Sequence, residues 1–296
     1  MEPGTLLQIR QARNERARTG GSWDRIVELE KLNVRQGCEI EYRWLELTDT
    51  LIEAGRLQEA LKALEEADAR GFDLNPALIE QKTVTEFMNA PMFKKSALGV
   101  RFERLKRRSD ARRARYREIL NTMPPAERPP ENYVATGACP FECCRFGDWT
   151  VLKATDVVAQ PGSARVVGTA EKGTHVVAVT GEVHLRPEPV VVLKRSDALN
   201  RSDAFRNGEL PEGSIAFILD PEGEGIGHVY TRGRIVSVFL GYADYCFRVS
   251  ESCWGETLFP AKDRPPQVWW VKIQLANGIA GWTDKPEHFG GKDGCG

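Results

Sequence analysis

The feature that most constrains this chain is a change of hydrophobic period on either side of the segment Cys139–Trp149. Upstream of this segment, apolar residues recur at helical spacing, which is the pattern of amphipathic helices. Downstream, short runs rich in β-branched and aromatic residues alternate with glycine-containing turns, which is the pattern of antiparallel strands. The sequence therefore predicts an α+β protein made of two separate domains, an all-α domain followed by an all-β domain.

The predicted domain boundary is the polar, proline-rich segment Met123–Glu131, whose composition is typical of a semi-rigid linker. We expect a helical domain over residues 1–122, a linker over 123–135 and a β domain over 136–296. No apolar run approaches the roughly 18 residues of a membrane-spanning helix. The N-terminus lacks the basic and apolar regions of a signal peptide, so we expect a cytoplasmic protein.

Residues 39–71 predict an αα-hairpin, because two runs of helical period are separated by Gly55 and closed by Gly71. Over residues 41–74 the hairpin resembles one tetratricopeptide repeat, on the spacing of Trp44, Leu47, Leu51, Gly55, Ala60, Leu64 and Ala67. Thr48 and Phe72 depart from the usual repeat pattern. The resemblance implies a concave protein-binding surface, and flanking helices must complete it because one repeat cannot bury its own faces. The alternative is a small helical bundle.

Residues 94–117 carry 11 Lys or Arg and two Asp or Glu, although the whole chain has a net charge of only −1. The candidate binding residues of this predicted basic helix are Arg104, Arg108, Arg112 and Arg115. Such a helix has three interpretations: it docks on the acidic residues of 24–70, binds an acidic protein partner, or binds nucleic acid with strong salt dependence.

The β half contains nine predicted strands, and Asn277-Gly278 between the last two is a hairpin signal. The polar residues 195–213 predict a long surface loop. The predicted strands cover 149–153, 164–169, 175–180, 190–193, 215–218, 227–230, 235–240, 269–275 and 279–282.

Two stretches of this half, Val157–Val179 and Trp269–Trp282, resemble the opening and closing parts of a bacterial Src-homology-3-like domain. The resemblance implies a small β-barrel, either one barrel with a large insertion or two barrels in tandem. It further implies that a peptide, a cell-wall-like ligand or a protein segment binds in an aromatic-lined groove. The candidate ligand-binding residues are Tyr230, Trp254, Trp270 and Trp282. Strand alternation places Trp269 and Trp270 on opposite faces, so one of them belongs to the core.

Six of the seven cysteines lie at or after Cys139, which is typical of a cross-linking framework. The disulfide candidates are Cys139, Cys143, Cys144, Cys246, Cys253 and Cys295, and adjacent Cys143 and Cys144 should have different partners. Disulfides are rare in a reducing cytosol, so reduced thiols and an exported protein stay open. Structural zinc bound by Cys139, Cys143 and Cys295 with a fourth ligand is a further alternative.

No catalytic motif stands out, because a phosphate-binding glycine loop, a nucleophile elbow and a zinc-protease helix are all absent from the sequence. We therefore expect a non-catalytic adaptor without a cofactor, in which the helical domain binds a protein and the barrel binds a peptide or cell-wall-like ligand. A nucleic-acid-associated protein is the first alternative. A thiol-dependent enzyme, with Cys144 and His184 as a nucleophile pair, is the second.

Overall fold

The structure is a computed structural model, and its chain forms two compact units. The first unit comprises Met1–Arg112 with Ala243–Cys253, and the second comprises Arg113–Tyr242 with Trp254–Gly296. The structure describes residues 3–36, 41–72, 74, 82–141, 143–194, 210–223, 226–239, 242–243, 253–259, 263 and 266–294. Within these ranges, the α-helices are too short or too polar to cross a membrane.

The N-terminal region is helical, as the sequence predicts. Its helices are α1 (Pro3–Thr19), α2 (Asp24–Gln36), α3 (Glu41–Glu53), α4 (Leu57–Ala69), α5 (Lys82–Asn89), α6 (Pro91–Lys95) and α7 (Ala97–Thr122). Helices α3 and α4 form the expected antiparallel hairpin, and α3 also contacts α2 and α5. Gly55 (φ +72°) and Gly71 (φ +95°) adopt the left-handed conformation that ends each helix, which other residues adopt only under strain.

The hairpin positions at helical spacing form the core of the first unit. Trp44, Leu51 and Leu64 are buried there among the apolar faces of the neighbouring helices. The aromatic rings of Phe87, Phe93 and Phe102 extend this core with edge-to-face contacts at centroid distances of 6.0 and 6.2 Å. Burial of these side chains provides the main favourable free energy for a helical unit whose individual helices are short. The tetratricopeptide resemblance stays a prediction.

The C-terminal region consists of antiparallel strands, as the sequence predicts. The first sheet has eight strands in the order β14-β2-β5-β12-β13-β3-β4, with β1 paired to β5. These strands are β1 (Tyr133–Thr136), β2 (Gly147–Val151), β3 (Thr155–Val158), β4 (Val166–Ala170), β5 (His175–Leu185), β12 (Val268–Gln274), β13 (Ala280–Thr283) and β14 (Phe289–Gly290). The predicted Asn277-Gly278 hairpin joins β12 to β13, with Gly278 at φ +82°.

A second sheet of six strands lies in the sequence between β5 and β12. Its order is β10-β11-β6-β7-β8-β9, and β5 still pairs directly with β12 across this insertion. These strands are β6 (Glu188–Val192), β7 (Ile215–Gly223), β8 (Ile226–Thr231), β9 (Arg234–Phe239), β10 (Tyr242–Ala243) and β11 (Gly255–Thr257). Residues 195–209 of the predicted surface loop lie outside the described residues.

Each sheet has its own hydrophobic core. Trp149, Trp269 and Phe289 form the centre of the first, with Trp149 at centroid distances of 6.0 Å from Trp269 and 5.9 Å from Phe289. Trp254 lies at the centre of the second and is 0% exposed. In β5 and β12 alternate residues supply the core of the first sheet, because successive residues of a strand face opposite sides of its sheet, whereas consecutive residues of β6 and β11 are buried in the second.

The division between the two units falls between Arg112 and Arg113, inside α7 and upstream of the proline-rich segment. In the second unit, Arg113 donates from Nε to the carbonyl oxygen of Thr257 at 3.0 Å and forms an ion pair with Glu256 at 3.2 Å. Arg117 donates to the carbonyl oxygen of Leu258 at 2.7 Å. The last turns of α7 are therefore an integral part of the β unit.

Candidate functional site

The outer face of strands β5, β12 and β13 carries aromatic and charged side chains. On β12, Trp269, Val271 and Ile273 are buried, whereas the alternating residues Trp270 and Lys272 are half-buried on the opposite face. Alternation along the strand produces this separation, as the sequence predicts. Trp269 therefore belongs to the core, and Trp270 is available at the surface.

The register of the strands brings five outward residues together. Trp282 lies directly opposite Lys272, and Trp270 lies directly opposite Glu182. The Nζ atom of Lys272 is 5.9 Å from the centroid of the Trp282 ring, within cation–π range. The His184 ring is 6.5 Å from the Trp270 ring, and its Nε2 atom is 3.0 Å from a carboxylate oxygen of Glu182. We call these five residues the aromatic face.

A small hollow adjoins the aromatic face. It has a volume of about 250 Å³ and is lined by His184 together with Tyr133, Val134, Arg186 and Pro266 among others. Because His184 also contacts Trp270, the hollow continues the row of side chains that begins at Trp282. A flat aromatic row that ends in a concavity can hold an extended chain and anchor one of its side chains.

A larger cavity of about 620 Å³ shares Arg186 with the hollow. Its apolar lining consists of Leu120, Phe217, Phe259 and the prolines at 125, 129, 130, 187 and 189. An ion pair between Arg186 and Glu131 lies in this lining. The volume is in the range of small-ligand pockets. This cavity was not predicted from the sequence, although the proline clusters at 124–130 and 187–189 are a signal of it.

Arg128 fixes one wall of this cavity. Its guanidinium donates hydrogen bonds to the carbonyl oxygens of Leu120, Met123 and Asn121, the last at 3.2 Å. The carbonyls of Leu120 and Asn121 belong to the last turn of α7, where carbonyls have no partner within the helix, and Met123 directly follows this turn. The linker is thus bound to the end of the helix that precedes it.

Two of the aromatic residues predicted for ligand binding lie elsewhere. Trp254 is 0% exposed in the core of the second sheet, so its ring offers no surface to a ligand. Tyr230 is half-buried on β8, with its ring 6.4 Å from that of Phe217, a residue that lines the larger cavity. The structure therefore brings Trp270 and Trp282 together but places Trp254 and Tyr230 in the other sheet.

The basic side chains of α7 fall into two groups, those that bind within the chain and those that are exposed to solvent. Arg101 pairs with Asp68 in the first unit, and Arg113 and Arg117 bind within the second unit. Arg104, Lys106 and Arg108 are exposed in the first unit. The other two predicted binding residues differ from these: Arg112 is half-buried, and exposed Arg115 lies 5.9 Å from the ring of Tyr116.

The described cysteines are oxidised. Cys139 is bonded to Cys144, and Cys143 and Cys253 also belong to disulfides, so Cys143 and Cys144 have different partners. Cys246 and Cys295 lie outside the described residues. Within the described part of the chain, no group of three or more His, Cys, Asp or Glu side chains is arranged to hold a metal ion. The nucleophile pair considered from the sequence would require Cys144 in its reduced form.

The loop that the Cys139–Cys144 disulfide closes packs on the core of the first sheet. The ring of Phe141 meets the ring of Trp269 edge-on at 5.7 Å. The main chain of this loop is tied to the C-terminal segment, since Gly294 donates to the carbonyl oxygen of Cys143 at 2.8 Å. The disulfide therefore keeps this loop packed on the aromatic core.

Comparison of the chain with models of known protein families, with curated proteins and with solved structures found no match.

Proposed function

We propose that this chain is a non-catalytic adaptor protein whose β unit binds an extended peptide segment of a partner on the aromatic face. The observation that carries the proposal is the row Trp282–Lys272–Trp270–His184, in which two half-buried indole rings flank a lysine and the row ends in a hollow. Large aromatic rings with few rotatable bonds lose little entropy on binding, and such residues dominate the binding energy of many interfaces.

The resemblance to bacterial Src-homology-3-like domains supports the same proposal, because such domains bind peptides through aromatic surfaces. Two ligand sources fit it, a protein segment and a cell-wall-like peptide. The helical unit binds a second protein in this proposal, which makes the chain an adaptor between two partners.

The proposal is tested by displaying random linear peptides to the full-length protein and measuring the affinity of the selected peptides by fluorescence anisotropy. Trp270→Ala and Trp282→Ala should each weaken binding by about tenfold or more. Leu152→Ala is the matched control, because Leu152 is 54% exposed on another part of the same unit and its loss should leave affinity unchanged.

Two results would overturn the proposal: the display enriches no peptide family, or the enriched peptides bind both tryptophan variants as tightly as they bind the parent protein. Circular dichroism establishes that each variant is folded. Lys272→Glu provides an independent variant that keeps both indoles and reverses the charge between them. A soluble cell-wall muropeptide, measured in the same assay, distinguishes the two ligand sources.

A second candidate function is polyanion binding by the first unit. Arg104, Lys106 and Arg108 support it, because they are exposed on one segment of α7 whereas other arginines of this helix bind within the chain. Exposed cations that neutralise phosphates give an affinity that falls steeply with salt.

Retention on a heparin column tests this second candidate. The charge reversal of these three residues to Glu should abolish retention, whereas reversal of Lys153, Arg165 and Lys172, which are exposed in the second unit, should leave it unchanged. Equal retention of the two triple variants would exclude α7 as the binding surface.

A further inference from the structure

The cavity at the end of α7 has no part in the proposed function. Its volume of about 620 Å³ is within the range of small-ligand pockets, and all of its lining residues belong to the second unit. The last turn of α7, the proline-rich segment, the junction of β5 and β6, and strand β7 contribute to the lining together with Phe259 and Asp263. We call this cavity the proline cavity.

Apolar side chains form much of the wall of the proline cavity. Phe217 is 6% exposed, and its ring lies 6.4 Å from the ring of Tyr230, which holds it in place. Phe259 also lines the cavity but is 39% exposed, so part of its surface is in contact with water. Removal of apolar surface from water is favourable, and the cavity therefore suits a ligand with an apolar, aromatic body.

The side-chain cations of the wall are already engaged. Arg128 donates to three carbonyl oxygens at the end of α7, and Arg186 is paired with Glu131. The C-terminal end of a helix carries a partial negative charge, so Arg128 is a cation of the chain itself that this wall attracts. Five of the lining residues are prolines, which have no backbone N–H. The wall therefore offers an incoming ligand more hydrogen-bond acceptors than donors.

The charge of the lining favours the same kind of ligand. Two arginines and the three acidic residues Glu131, Glu188 and Asp263 give the lining a net charge of −1. The ring of Phe259 also attracts cations, since the guanidinium carbon of Arg117 lies 5.3 Å from its centroid. Carboxylates and an aromatic ring together stabilise a positive charge and repel a negative one.

We propose that the proline cavity binds a small organic cation, an ammonium group carried on an aromatic body. The body covers the exposed surface of Phe259 and the prolines, and the ammonium donates to the carboxylate of Asp263, which is exposed and accessible to it. The inference goes beyond the proposed function, because none of the five residues of the aromatic face lines this cavity.

The test compares three indole compounds in amide NMR titrations of the full-length protein: cationic tryptamine, neutral tryptophol and anionic indole-3-acetate. Tryptamine should shift the amides of Asn121, Arg186 and Phe217 and saturate with a dissociation constant on the order of millimolar. Tryptophol should bind at least about fivefold more weakly, because it makes no charge-assisted hydrogen bond. Indole-3-acetate should cause no saturable shift.

Three results of this titration would overturn the proposal. Tryptamine and tryptophol bind with equal affinity, indole-3-acetate binds more tightly than tryptamine, or none of the three compounds causes a saturable shift. The first two results would show that the cavity does not select a positive charge, and the third that it is not a binding site for an aromatic cation.

Two variants locate the bound probe. Phe259→Ala should weaken tryptamine binding about fivefold or more, and Asp263→Asn should bring the affinity for tryptamine close to that for tryptophol. Both positions are exposed, and the amide spectra establish that each variant is folded. The matched controls are Leu152→Ala and Glu171→Gln, which change exposed residues of the same unit outside the cavity and should bind tryptamine like the parent protein. Unchanged affinity in both cavity variants would refute the site.

Salt dependence provides an independent readout of the charge. The affinity for tryptamine should fall as the ionic strength rises, because screening weakens the attraction between the ammonium and the carboxylates, whereas the affinity for tryptophol should not fall. A tryptamine affinity that does not change with salt would contradict the assignment of a cation. Failure of this site would leave the peptide assays on Trp270 and Trp282 unaffected, so the two proposals fail independently.

Discussion

The buried ion pair between Arg113 and Glu256 leads to a quantitative prediction. Glu256 is 0% exposed and the side chain of Arg113 is 7% exposed, and the two charged groups are 3.2 Å apart. Arg113→Met keeps much of the side-chain volume but leaves the carboxylate of Glu256 buried without this cation. Removal of one partner of a buried pair costs about 3–5 kcal/mol, because the other charge stays out of water.

Urea unfolding of the full-length protein, followed by tryptophan fluorescence, measures this cost. Five of the seven tryptophans, including the fully buried Trp254, belong to the second unit, so the emission mainly follows the unfolding of that unit. With a urea m-value of about 2–3 kcal/mol/M, the predicted loss lowers the transition midpoint by about 1–2.5 M. The double variant Arg113→Met/Glu256→Gln should recover most of the loss, because no uncompensated charge remains.

Arg115→Met is the control, since Arg115 is exposed on the same helix and surface substitutions usually change stability by less than about 0.5 kcal/mol. If Arg113→Met loses less than about 1 kcal/mol, the pair behaves as a solvent-exposed one and the reasoning is refuted. If the double variant is as unstable as Arg113→Met, the loss comes from packing and from the hydrogen bond to the Thr257 carbonyl, and not from the unpaired charge.

Three further predictions concern other parts of the chain. Gly181→Ala should lower the free energy of unfolding by about 1–3 kcal/mol in a urea titration, because the Cβ of the alanine would lie 2.5 Å from Trp269 Nε1. An unchanged midpoint would contradict the packing described. The helical unit should become more stable as the pH falls from 7 toward 4.5, the ordinary pKa of a glutamate. Burial raises the pKa of Glu30 above this value, so the folded state binds more protons than the unfolded state over this range. A thermal melting curve that shifts downward over this range would contradict it. Replacement of both Cys139 and Cys144 by Ser should cost roughly 2 kcal/mol on the chain-entropy model, since the closed loop is short, and a variant of parental stability would show that the loop is held by packing alone.

The sequence predicted those parts of the fold that depend on near neighbours in the chain. The helical spacing of Leu47, Leu51 and Leu64 predicted the α3–α4 hairpin, because residues three or four apart share one face of a helix. Alternation predicted that only one of Trp269 and Trp270 would be buried.

The candidate site could be predicted only in part. Trp270 and Trp282 were identified from the sequence, and the short Asn277-Gly278 turn sets the register that makes them diagonal neighbours. Trp254 was grouped with them because the sequence shows the residue type and not its burial. Glu182 and His184 were missed as members of the site because they come from β5, which is far from β12 in the sequence.

The sequence by itself determined that the helices precede the strands, the place where the period changes and the charge carried by α7, because each depends on composition and local spacing. Only the tertiary structure decided that His184 of β5 and Val268 of β12 pair across an inserted sheet. It also decided which arginines of α7 bind within the chain and which carboxyl groups lie near Arg13. The physical reason is the same in each case: a long loop closes only when many distant contacts form together, and no local pattern specifies which ones.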